Sequence, residues 1–329
     1  MNRYPATARP INEIATNPLC IIPVYSSMQY MHKVAIIGAG NFGMAICGML
    51  RAQVDVAIAL WDIDAARVPG MLSLEETVRD AEIVFLCVNS WALSEAAQSV
   101  LPFISSDTVI ISPTKGIEER TLKTSDEVLI DVFGGDAHAA LMHGPMLAAE
   151  ITQGLPAFTV LAVADRSAYD RVATLFSGTL LELEYSSDMH GVALAGVLKN
   201  IYSIGLGMVE AMVLGSNFRG WFVRVAVQEM IAIIIAFGGN EKTALTGAGL
   251  ADLIATGFSP HSRNCKVGHE IVQSGECITV SEGASSLPQM LELLQQKKVH
   301  APLCEGIGNI VAGAASAHDI DKIVRACVL

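Results

Sequence analysis

The sequence predicts an α/β fold, with a mostly parallel N-terminal sheet covered by helices and a second, all-α C-terminal domain. Three observations predict it. Short apolar runs alternate with helical segments up to about residue 186, and a glycine-rich turn joins the first run to the first helix. Beyond Asp188, apolar residues recur at helical spacing and strand-like runs become scarce. Such alternation is the mark of βαβ units. A hydrophobic share of 52% with only 16% charged residues suits parallel strands, which are buried on both faces and read as continuous apolar runs.

Residues 1–30 contain prolines and no clear periodicity, and read as an extension ahead of an ordered domain spanning 31–186. Within that domain, residues 34–37, 56–60, 83–88 and 109–111 read as strands, and 42–50 as a helix. Residues 128–130 and 158–163 read as later strands, followed by a helix over 167–176 and a further strand near Leu180. The second domain, 187–329, carries helical periodicity over 192–214, 222–237, 287–296 and 304–312. A chain of 329 residues is long enough for two such domains.

The first strand runs directly into Gly38-Ala39-Gly40-Asn41-Phe42-Gly43, a G-x-G-x-x-G between strand and helix. Gly38 permits the tight turn, Gly40 lets a pyrophosphate approach the backbone, and Gly43 allows close helix–strand packing. The N–H groups at the helix start then receive phosphate. Gly38, Gly40, Asn41, Phe42 and Gly43 are therefore candidate cofactor-binding residues of a Rossmann-type domain. The second strand ends at Asp62, 22 residues beyond Gly40. An acidic residue there accepts hydrogen bonds from the adenosine ribose and repels a 2′-phosphate, which favours NAD over NADP. Asp64 and Arg67 are close enough in sequence to alter that preference.

Composition narrows the partners. A net charge of -12 disfavours nucleic acid and anionic membrane surfaces. Seven cysteines without C-x-x-C or zinc-like spacing read as reduced thiols of a cytoplasmic protein. The eight histidines, His138 and His143 included, show no ligand spacing, so no metal is expected. The apolar run 230–237 is too short to cross a bilayer and reads as core helix, so no integral membrane segment is expected.

Lys199 lies in an apolar helical stretch beside Asn200, an unusual place for a solvated lysine. Desolvation and a nearby cation can lower a lysine's pKa far enough for proton transfer to and from a hydroxyl. Lys115 follows a strand end, where ligands of open α/β sheets sit. Asp252 stands in a nearly uncharged run, open to a cap or a charge-partner role, and Arg263 and Asn264 offer donors suited to a phosphate monoester.

Four separated segments, in order, resemble the sn-glycerol-3-phosphate dehydrogenase family. They are Thr114-Lys-Gly-Ile117; Gly144-Pro145 with Ala148 and Glu150; Gly191-Val-Ala-Leu-Ala-Gly-Val-Leu-Lys199-Asn200; and Asp252-Leu-Ile-Ala-Thr256 followed by Ser262-Arg263-Asn264. The resemblance implies hydride transfer between NAD(H) and sn-glycerol 3-phosphate or dihydroxyacetone phosphate by a cytoplasmic homodimer. It implies that Lys199 transfers the proton, that Lys115 polarises the substrate oxygen, and that Asp252 orients the catalytic lysine. It further implies a phosphate site at Asn200, Thr256, Arg263 and Asn264, and a cofactor contact at Glu282. Several places depart from the family pattern: the segment after Asp64 is short, Met146 stands where a serine is expected, and residues 210–219 and 246–251 differ. Two other readings follow from these departures. One is a paralogue acting on another small phosphorylated or carboxylated hydroxy compound; the other is a non-catalytic dinucleotide sensor, for which a proton-transfer lysine has no use.

Overall fold

A computed structural model of the chain describes residues 32–53, 55–135 and 138–327, so the predicted extension lies outside the described residues. The strands are β1 (His32–Ile37), β2 (Val56–Trp61), β3 (Ile83–Leu86), β4 (Val109–Ser112), β5 (Ala139–His143), β6 (Ala157–Val163) and β7 (Leu181–Ser186). They form one seven-stranded sheet in the order β2-β1-β3-β4-β5-β6-β7, with every neighbouring pair parallel except β5 and β6. The chain leaves β1 for β2 on one side and returns to β3 on the other. That reversal opens a crevice beyond the carboxyl ends of β1 and β3, the usual ligand site of open α/β sheets.

The predicted strand at 128–130 is instead part of helix α4 (Ser125–Phe133) when helices are numbered from α1 (Asn41–Leu50), α2 (Leu74–Val78) and α3 (Leu93–Val100). Its start is a capping box between Thr124 and Glu127, and Gly134, at φ +88°, ends it. Val128 and Leu129 are buried while Ile130 is 43% exposed, so the apolar triplet belongs to one helix face and its edge. The fifth strand is Ala139–His143, buried at every position. Its alanines carry little strand preference, and a central place in the sheet supplies what the sequence does not.

After the short α5 (Ala148–Thr152) and α6 (Arg166–Leu175), β7 ends the sheet, and only helical elements follow among the described residues. The α-helices among them are α7 (Met189–Ala211), α8 (Gly215–Ala236), α9 (Asp252–Gly257), α10 (Arg263–Ser274), α11 (Glu282–Lys297), α12 (Pro302–Val311) and α13 (Asp319–Ala326). The most extensive apolar helix is α7 rather than the 230–237 run, which lies in α8 with Ile235 exposed. By length and composition α7 could cross a membrane, but its apolar stretch is wholly enclosed by the protein. Leu194, Leu198, Ile201 and Tyr202 are fully buried there, each worth roughly 1.5–3 kcal/mol of apolar burial. One core joins this helix to a sheet face carrying Ala35, Val84, Leu141 and Val160. The opposite face, with Val34, Ile36, Phe85 and Met142, packs against α1 and α6. Lys199 is thereby carried by the most deeply packed helix of the molecule.

Candidate active site

The glycine turn closes as its spacing predicts. Gly38 adopts φ +104°, and a Cβ there would lie 2.4 Å from the Cys87 carbonyl oxygen; one on Gly43 would lie 2.0 Å from the Gly38 oxygen. Gly40 faces open space and caps α1 with no side-chain hydrogen bond, leaving the first N–H groups of a ten-residue helix uncapped by any side chain. These donors, with no acidic residue in the first turn, fit a dinucleotide pyrophosphate. Gly40, Asn41 and Phe42 line a cleft of about 590 Å³ whose other walls include Lys115, Asn200, Arg263, Asn264 and Glu282.

Two lysines from distant segments meet on one carboxylate beside this cleft. Lys115 Nζ is 2.7 Å from Asp252 Oδ2 and donates to the Gly144 carbonyl at 3.1 Å. Lys199 Nζ lies 3.3 Å from Asp252 Oδ1 and donates to Thr256 Oγ1 at 2.9 Å, while Thr256 Oγ1–H donates to Asp252 Oδ1 at 3.1 Å. Asp252 begins α9 directly after a π-helical turn, Gly247–Ala251, so the altered lead into the aspartate is an irregular helical turn. Lys199 is 5% exposed, and burial lowers its pKa to about 8 from the usual 10.5; Asp252 opposes that shift and Lys115 adds to it. Burial alone would raise Asp252, but the two ammonium groups outweigh it and hold the carboxyl below its ordinary value. The result is an amine that can be neutral near physiological pH with a fixed anion beside it. Lys115 lines the cleft, whereas Lys199, Asp252 and Thr256 are not part of its lining.

The other predicted residues divide into two groups. Asn200 donates to the Lys115 carbonyl at 3.1 Å and accepts from Asn264 at 2.8 Å, and Asn264 accepts from Gly283 N–H at 3.1 Å. This chain ties the Lys115 loop to α7, α10 and α11, and each amide keeps one further N–H for a ligand. Arg263, in the first turn of α10, is exposed on the cleft wall and meets no carboxylate at ion-pair distance among the described residues. Thr256 is spent on the Lys199–Asp252 pair. Glu282 does line the cleft, yet both its oxygens take Ser90, one from the backbone N–H at 3.0 Å and one from the hydroxyl at 2.7 Å. It clasps the start of α11 to the turn after β3. Asp62 is buried outside the cleft lining, with Oδ2 accepting from Ala39 N–H at 2.7 Å and Oδ1 from Asp64 N–H at 2.9 Å. Its carboxylate holds the glycine turn to the end of β2, and Arg67 from the next turn reaches the cleft instead.

Two residues join the site only in the structure: His143, which the sequence offers only as a rejected metal ligand, and Ser90. His143 ends β5 against Thr114 and α7, and a histidine closing an apolar run was its visible signal. Ser90 carried none, because its partner is 192 residues away.

The chain also resembles known proteins over most of its length. Residues 66–169 match the family model for the NAD-dependent glycerol-3-phosphate dehydrogenase N-terminus, and residues 188–322 match that for its C-terminus. A glycerol-3-phosphate dehydrogenase (NAD(P)+) of Pseudomonas aeruginosa is 31% identical, over 91% of this chain and 96% of its own length. One from Agrobacterium fabrum is also 31% identical, over 85% and 93%. The crystal structure of a glycerol-3-phosphate dehydrogenase from Coxiella burnetii superposes with a TM-score of 0.80 at 25% identity, covering 90% of this chain and 98% of that one. A ketopantoate reductase from Ralstonia eutropha shares the fold at 18% identity and a TM-score of 0.58. With two lysines on one buried carboxylate beside a dinucleotide turn, and with both halves of the chain matched in order, this protein belongs to the NAD-dependent glycerol-3-phosphate dehydrogenase family.

Proposed function

We propose that this chain interconverts sn-glycerol 3-phosphate and dihydroxyacetone phosphate with a nicotinamide dinucleotide, NAD(H) in preference to NADP(H). The observation that carries the reading is the Lys199–Asp252–Lys115 cluster beside a cleft lined by both the glycine turn and Arg263. The glycine turn and the cleft beside it would hold a nicotinamide dinucleotide, which would supply or accept the hydride when bound. Lys199, as neutral amine, takes the hydroxyl proton during oxidation and returns it as ammonium during reduction. Lys115 stabilises negative charge on the substrate oxygen, and Asp252 with Thr256 holds the Lys199 nitrogen in place. Arg263 binds the phosphate, helped by the remaining N–H groups of Asn200 and Asn264.

For the cofactor, Asp62 stands at the end of β2 where the ribose of a dinucleotide is read, while Arg67, 3.5 Å from Asp64, lines the cleft on the side a 2′-phosphate would approach. NAD(H) preference with measurable NADP(H) use follows. A cytoplasmic homodimer belongs to the same reading, on the strength of the family resemblance.

The test is a panel of phosphorylated and unphosphorylated hydroxy compounds followed by NADH absorbance. Turnover of sn-glycerol 3-phosphate well above glycerol and above phosphorylated or carboxylated analogues is expected. A better substrate elsewhere in the panel points to the paralogue reading, and none at all to a sensor.

A further inference from the structure

His143 closes β5 fully buried, and no step assigned above uses it. Its ring lies between two backbone carbonyls, with Nε2 2.9 Å from the Thr114 oxygen and Nδ1 3.0 Å from the Val192 oxygen. The first carbonyl belongs to the peptide unit joining Thr114 to Lys115. The second belongs to α7, about two turns before Lys199. The ring can approach α7 because residue 196 is glycine; a Cβ there would lie 2.6 Å from Nδ1.

A neutral imidazole has one N–H and one lone pair. The Val192 carbonyl lies inside α7, where the helix itself provides a donor four residues on. The Thr114 carbonyl has no other donor among the described residues. The greater gain comes from placing the proton on Nε2, since a buried carbonyl left unpaired is costly.

We propose that His143 is a positioning residue for the proton-transfer cluster, its Nε2–H fixing the Thr114–Lys115 peptide so that the Lys115 ammonium stays between Gly144 O and Asp252. Asn200 Nδ2 holds the next carbonyl, that of Lys115 itself, so both carbonyls flanking the Lys115 Cα are pinned. Burial, with the adjacent Lys115 charge, pushes the imidazole down to about 4. His143 is therefore neutral where Lys199 titrates and contributes geometry rather than charge. The charged and titratable groups facing this cluster are Lys115, Asp252, Lys199 and Cys265, the last pushed up to about 11 by burial. If Lys115 is released, Lys199 loses a neighbouring cation and gains a larger share of Asp252. Both changes raise the Lys199 pKa.

The inference rests on the reading of Lys199 as the proton-transfer residue, and its test has an arm independent of turnover. In the full-length protein labelled with ¹⁵N-histidine, the resonance lost in His143→Gln should report an Nε2–H ring. A ring protonated on Nδ1 alone overturns the proposal. In the kinetic arm, His143→Leu should bind NADH as wild type does but lose about tenfold or more in kcat, because small displacements of positioning groups cost up to ~10²-fold. Its rising limb of oxidation rate should move to higher pH by about half a unit or more. His143→Gln, which retains an N–H donor, should recover most of the rate and the wild-type limb. Wild-type kinetics in His143→Leu, or equal losses in both variants with an unmoved limb, contradict the proposal. If His143→Leu does not fold, the ring tautomer and the limb of His143→Gln decide: Nε2–H with an unmoved limb supports it, and a displaced limb overturns it. Failure of the wild type to oxidise glycerol 3-phosphate would sink the substrate reading while leaving the tautomer measurement standing.

Discussion

At the scale of single residues, charge without a partner is the most informative feature of the cleft. Arg263 faces it with no carboxylate at ion-pair distance among the described residues, so its guanidinium is free to meet an anionic substrate. Arg263→Ala should lower kcat/KM for the phosphorylated substrate by about 10–100-fold, mostly through KM, the equivalent of ~1.5–3 kcal/mol for a charge-assisted contact. An unchanged ratio between phosphorylated and dephosphorylated compounds would remove the phosphate assignment. Asp62 and Arg67 make a second residue-level prediction. Because Asp62 anchors Ala39, Asp62→Ala should weaken binding of both dinucleotides as well as narrow the preference between them. Arg67→Ala should depress NADP(H) use alone. Comparable losses with NAD(H) in Arg67→Ala would show that it contacts something other than the 2′-phosphate. The sequence exposes Lys199 and Asp252 because charges in apolar surroundings stand out one residue at a time, and Lys115 because it follows a strand end. It conceals the partners of Asp62, Glu282 and His143, which are backbone groups or distant side chains brought near only by folding.

Among elements, α4 and β5 show where periodicity misleads. A three-residue apolar run fits either a strand or one helix face, and the Thr124–Glu127 capping box makes it a helix. The same helix start supplies a pH-sensitive joint. Asp126, buried in its first turn, lies 2.9 Å from His190 Nδ1 at the start of α7. The hydrogen bond to Asp126 outweighs burial and raises the His190 pKa above its ordinary 6.5. Burial opposes ionisation of Asp126, but His190 and Thr124 together hold its carboxyl below the usual value. A raised histidine stabilises the fold fully below its unfolded pKa and loses that effect as pH rises through the folded value. A depressed carboxyl stabilises above its unfolded pKa and loses the effect as pH falls through the folded one. The pair therefore contributes most between about pH 4 and 6.5. The Tm gap between wild type and His190→Gln should be larger at pH 6 than at pH 9. A gap independent of pH would mean that His190 acts through packing alone.

For the whole molecule, the fold places chemistry where two unlike parts share a core. The sheet contributes the glycine turn, Lys115 and the strand-end histidine, and α7 with its neighbours contributes Lys199, Asp252 and Arg263. Alternation of apolar runs and the loss of strands after Ser186 make that division readable in the sequence. The meeting of Lys115 and Lys199 on one carboxylate is not readable without the family resemblance, since the three residues lie far apart along the chain. The central claim is that Lys199, its pKa lowered to about 8, moves the substrate proton. The most direct test is the pH dependence of kcat for glycerol 3-phosphate oxidation in wild type and Lys199→Met, which keeps an apolar stem but removes the titrating nitrogen. The wild-type rate should rise through an ionisation near 8, and the variant should fold, bind NADH, lose ~10²–10⁴-fold in kcat and show no such limb. A folded, NADH-binding Lys199→Met enzyme that keeps the limb and turns over within a few-fold of wild type would contradict the claim and move the proton transfer to Lys115.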